Sequence, residues 1–131
     1  IMHFQSIGRI TTKVWQNANW LRFHKNSDSI ERHKNKFPDK YELFSIAENI
    51  VNTQYFNNNP RYFIYVDLDE EHIRGKLTPN IINSAIDDYL SKNFNSVVKP
   101  AINKKNLSSG EKIDRDEAIQ QVRDRIRKQY F

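Results

Sequence analysis

The chain has no cysteine, three glycines, four prolines and one methionine, and no long apolar run. Without cysteine there is no disulfide framework, no thiolate nucleophile and no Cys-ligated zinc or iron–sulfur centre. Scarce Gly and Pro exclude a collagenous or low-complexity chain. Two Trp, six Tyr and eight Phe supply burial that disordered sequences lack. Among the longest apolar stretches is Tyr62-Phe63-Ile64-Tyr65-Val66, far short of the roughly 20 residues a membrane-spanning helix needs, so no membrane partner is expected. Ile1-Met2-His3-Phe4 lacks the charged-then-apolar layout of a signal peptide. There is no phosphate-cradling Gly loop, no HExxH and no G-x-S-x-G, and no cofactor or metal is expected.

What is present is one domain's worth of chain, 131 residues, long enough for a core without covalent staples. Lys and Arg number 21 against 16 Asp and Glu, a net charge of +5. The charge is segregated along the chain. Residues 9–40 carry eight cations against three anions, residues 41–91 three against eight, and residues 92–131 ten against five. Two basic outer thirds flank an acidic middle. If the outer thirds pack side by side, they form a cationic surface able to attract phosphates and displace their counterions. The candidate contacts are Lys13, Arg22, Lys25, Arg32, Lys34 and Lys36, with Arg115, Arg123 and Arg127.

The periodicities describe a mostly helical α+β single domain with one β-hairpin over about 61–77 followed by two helices. Thr11 or Thr12 caps a helix that places Val14, Trp15, Ala18 and Leu21 on one face, with Trp20 and Phe23 nearer its edge; the rival reading is a strand from Ile7 to Val14. Asp28 followed by Glu31 matches a capping box for a short helix reaching about Lys36. Leu43, Phe44, Ile46, Ala47, Ile50, Val51 and Tyr55 recur at helical spacing. Asn57-Asn58-Asn59-Pro60 reads as a turn. Arg61 to Leu68 is a strand, Asp69-Glu70-Glu71 its turn, and His72 to Leu77 an alternating return strand. Thr78-Pro79 opens a helix that buries Ile81, Ile82, Ala85, Ile86, Tyr89 and Leu90 and extends toward Val98. After a loop over about 103–112 comes a last helix, about Asp114 to Gln129, with Ile119, Val122, Ile126 and Tyr130 inward. Its acids lie at the start and its bases at the end, as the helix dipole favours.

Catalytic readings rest on histidine. Metal-free RNA cleavage needs a base for the 2′-hydroxyl, an acid for the leaving oxygen and a cation on the phosphate. His24, Arg32 and His33 lie in a basic stretch, and His72 with Arg74 on one strand face would complete such a site. Asp67 and Asp69 share a strand face and would suit Mg²⁺, but a polar turn explains them more economically.

Three resemblances are partial. Ile64-Tyr65-Val66-Asp67-Leu68 is similar to the shorter RNA-recognition-motif signature, in which an aromatic stacks on a base. The Gly-aromatic companion is absent and the element order differs, so membership does not follow, while Tyr65 stays a candidate stacking residue. Three helices and a hairpin resemble the winged-helix order, but the third helix carries Glu42 and Glu48 with no base from 41 to 56. Ser29-Ile30-Glu31-Arg32-His33 through Phe37 resembles segments of nuclease domains in secreted bacterial toxins. The expectation is therefore a module that binds RNA, DNA or another polyanion through its outer thirds. The alternatives are a metal-independent ribonuclease and a protein-interaction module.

Overall fold

Residues 2–3, 20–25, 38–103 and 115–131 are described in the computed structural model. They form a mostly helical α+β arrangement around a small sheet. Strands β1 (Met2–His3), β2 (Trp20–Phe23), β3 (Ile64–Asp67) and β4 (His72–Gly75) lie side by side in that order. β2, β3 and β4 are antiparallel, and β1 joins β2 in parallel. A 3₁₀ turn, Pro38–Lys40, leads into α1 (Tyr41–Phe56). After the hairpin come α2 (Pro79–Lys92), a π-helical turn (Phe94–Val98), α3 (Lys99–Asn103) and α4 (Arg115–Tyr130).

Alternation along the strands decides which face is buried. Leu21, Val66 and Ile73 are register partners and form one inward row; Phe23 and Ile64 form the next. Phe23 stacks on Phe44 of α1 with ring centroids 6.2 Å apart. Ile46, Ala47, Ile50 and Val51 of α1, Ile86 and Leu90 of α2, Val98, and Val122 and Ile126 of α4 complete a single core. Gly75 ends the second row. Its φ is +156°, and a Cβ there would meet Ile64 Cγ2 at 3.2 Å, so glycine is the residue that suits the position.

Local signals set the boundaries. Thr78 Oγ1 accepts the Ile81 N–H at 3.3 Å, and Pro79 occupies the first helical position. α1 ends at the Asn turn, where Asn58 takes the left-handed conformation that asparagine tolerates. At the hairpin loop, Asp67 Oδ1 accepts the N–H groups of Asp69 and Glu70 at 3.0 and 3.1 Å. Lys40 pins that loop to the start of α1 by donating to Leu68 O at 2.9 Å and Glu71 Oε1 at 3.3 Å.

Several expectations are corrected. Leu21 is buried, but from strand β2 rather than a helix, and Phe23 is core rather than edge. Tyr55, expected on the apolar stripe, is exposed. The helix from Thr78 stops at Lys92. Asn93 donates from its side chain to Tyr89 O at 3.0 Å, and the chain then winds through the π turn. Pro100 falls in the first turn of α3, where its missing N–H is tolerated. The elements expected over 7–19 and 28–36, and the loop near 103–112, lie outside the described residues apart from residue 103.

Candidate nucleic-acid interface

The side chains that alternate with the inward rows project from the opposite face of the sheet. Register places Arg22, Tyr65 and Arg74 in one row across β2, β3 and β4, and Trp20, Asp67 and His72 in the next. Just before β3, Phe63 is two residues from Tyr65 and so shares its face. The Arg22 guanidinium lies 3.8 Å from the centroid of the Phe63 ring, and Phe63 meets Tyr65 edge to face at 5.5 Å. Past β2, the Lys25 ammonium sits 5.7 Å from Tyr55 and 5.6 Å from Phe56, the latter 72% exposed.

Beside this face a cleft of about 470 Å³ is lined by Asn59, Arg61, Tyr62, Phe63, Tyr65, Gly75 and Lys76. Its walls are largely apolar. Tyr62 braces it by donating from its hydroxyl to Lys76 O at 2.8 Å, and burial raises that phenol's pKa, keeping it a neutral donor. Arg61, Arg74 and Lys76 are exposed. Among the described residues, no carboxylate forms an ion pair with Arg22, Arg61, Arg74 or Lys76. The acids of the hairpin, Asp67 to Glu71, lie at the other end of the two strands. The sheet is thus polarised, with carboxylates at the turn and cations with aromatics at the far end.

The remaining sequence candidates are placed differently. Arg123 is held by Asp87, with Nε and Nη2 at 3.0 and 2.9 Å from Oδ1. Arg127 donates to Asn83 Oδ1 and lies 3.5 Å from Asp124. Arg115 lies 4.7 Å from the Phe94 ring centroid. Arg22 and Lys25 join the sheet-face group. Lys13, Arg32, His33, Lys34 and Lys36 lie outside the described residues.

His24 Nδ1 is 3.3 Å from the Lys25 carbonyl oxygen. His72 is four residues away along the sheet and two strands across, about 16 Å by strand geometry. An acid and a base acting on one phosphate must both lie within hydrogen-bond reach of it, so these two histidines do not form such a pair. Among the described residues no cluster of three His, Asp or Glu could hold a metal ion.

A second polar cluster joins α1, α2 and α4. The Glu42 carboxylate accepts from Arg125 at 2.8 and 3.1 Å, from the Tyr130 hydroxyl at 2.7 Å and from the Tyr89 hydroxyl at 3.0 Å. Burial alone would raise the Glu42 pKa; the bonds from Arg125 and Tyr130 outweigh it and lower the value. Burial, and then the carboxylate itself, push Tyr89 and Tyr130 above the ordinary phenol range. Arg125 is raised in turn by its bond to Glu42. Four groups that satisfy one another in this way fasten helices together rather than await a ligand.

Compared with protein-family models, curated proteins and solved structures, the chain matches none.

Sequence reasoning singled out Tyr65 and Arg22 but missed Phe63, Arg61 and Lys76 as partners. The available signal was alternation: Arg61, Phe63 and Tyr65 recur at every second position, as do His72, Arg74 and Lys76.

Proposed function

We propose that the chain is a binding module for single-stranded nucleic acid, which it engages on the outer face of the sheet rather than through its two outer thirds. The observation that carries this reading is the interleaving of aromatic rings with cations that have no acidic partner among the described residues: Arg22, Arg74, Lys76 and Arg61 around Phe63 and Tyr65. Cations neutralise phosphates and release their counterions, while rings stack on bases of any sequence. A double helix keeps its base faces inside the stack and offers nothing to Phe63 and Tyr65, so single strands bind more tightly than duplex. A face that sets cations beside aromatic rings suits binding of this kind.

The test is fluorescence anisotropy with a labelled single-stranded RNA or DNA of mixed sequence. If three to four phosphates are neutralised, raising salt from 50 to 200 mM weakens binding about 20- to 50-fold. Tyr65→Ala weakens it about tenfold at constant salt. Absence of binding at 50 mM salt, or equal affinity for duplex of the same sequence, overturns the reading.

A further inference from the structure

Resting on that reading, we infer that the cleft beside Tyr65 is a pocket for one nucleotide, with its base against the aromatic walls and its phosphate between Arg61 and Lys76. The cleft's size, about 470 Å³, lies within the roughly 300–1,000 Å³ typical of small-ligand sites. Its composition divides as a nucleotide does. Tyr62, Phe63 and Tyr65 supply apolar, planar surface for a flat ring. Arg61 and Lys76 are exposed cations of the same cleft without a carboxylate partner among the described residues, which complements a phosphate. Asn59 brings an amide that both donates and accepts, the capacity needed along a base edge.

The walls are braced from behind. Tyr62 is tied to the Lys76 carbonyl, and Arg22 stacks on Phe63, so the rings are positioned before a ligand arrives. A preformed site loses less ordering entropy on binding. An apolar peptide side chain would use the rings and leave both cations idle. A nucleotide uses all the groups, and so it is the occupant the charge favours.

Amide NMR on the full chain tests this directly, because Gly75 forms part of the cleft wall and the chain has only three glycines, whose signals are readily told apart. The probes are the four nucleoside monophosphates, uridine, inorganic phosphate and a mixed-sequence single-stranded oligonucleotide. The expected result is a saturable shift of Gly75 and Lys76 by a monophosphate. Uridine or phosphate alone should bind at least tenfold more weakly, and Arg61→Ala with Lys76→Ala should reduce monophosphate affinity five- to tenfold. Equal shifts from phosphate alone would overturn the base pocket. If the oligonucleotide binds while 10 mM monophosphate leaves Gly75 unmoved, the pocket fails and the sheet-face reading survives. If neither binds, both fail.

Discussion

The arginines of α4 and the cations of the outer sheet face meet different neighbours. On α4, Arg125 forks onto Glu42, Arg123 onto Asp87, and Arg127 lies between Asn83 and Asp124. On the sheet, Arg22 stacks on Phe63, while Arg74 and Lys76 stand exposed with no acidic partner among the described residues. A guanidinium already matched to a carboxylate has little to gain from a phosphate, since the incoming anion must displace one that is tethered in place. A guanidinium beside an aromatic ring keeps its charge available and adds a flat surface for stacking. Arginine content alone would rank α4 above the sheet; the neighbours reverse that order.

The largest expected effect is on the α4 side. Glu42→Ala removes the acceptor for Arg125, Tyr89 and Tyr130 at once. The expected loss is about 2–3 kcal/mol of stability in denaturant unfolding, discounted because Arg125 is partly exposed. Affinity for single strands should be unchanged. A loss under 0.5 kcal/mol would mean that the cluster does not fasten the helices.

The same cluster gives stability a pH dependence at both ends. Glu42 is lowered from 4.5 in the folded chain, so the unfolded chain takes up the proton first. The stability it contributes is complete above 4.5 and is lost as pH falls through the folded value. Tyr89 and Tyr130 are raised above 10.0, so their contribution is complete below pH 10 and lost as the pH rises above it. Thermal melts across pH should decline at both extremes. Glu42→Gln should flatten the acid limb; an acid limb unaltered in that variant would assign it elsewhere.

On the sheet side the consequences fall on binding. Arg22→Ala should weaken single-strand affinity about tenfold while costing stability no more than about 1 kcal/mol, the scale of a cation–π contact. Stability loss without any loss of binding would make Arg22 a packing residue only. The smallest effect is expected for Asp87→Ala. A solvent-facing ion pair contributes about 0.2–1 kcal/mol, and thermal melting should barely move.

Much of the architecture was legible because its signals are local. Thr78-Pro79 marks the start of α2, and the spacing of Leu43 to Val51 marks α1. Helical spacing places Leu21 on a helix face because a four-residue strand is too short to display alternation against it. Its pairing with Val66, 45 positions away in sequence, is a tertiary choice. The site was harder to read for a related reason. Counting charge along the chain made residues 41–91 an acidic middle, yet the three cations of that stretch, Arg61, Arg74 and Lys76, all gather at one end of the sheet. Six of the eight opposing carboxylates are sent elsewhere: Glu42 to the helix cluster, Asp87 to Arg123, and Asp67, Asp69, Glu70 and Glu71 to the hairpin turn. Linear charge records composition; strand register decides which charges share a face.

Two double variants test that distinction most directly. Arg74→Ala with Lys76→Ala, and Arg123→Ala with Arg127→Ala, each remove two positive charges from a net +5. Single-strand affinity is measured as a function of salt for both. The sheet pair should weaken binding at low salt at least tenfold and make the slope of log affinity against log salt shallower by about 1.4, while the α4 pair keeps the wild-type slope. Equal losses in the two variants would show that overall charge, not the sheet face, drives binding, and would contradict the account.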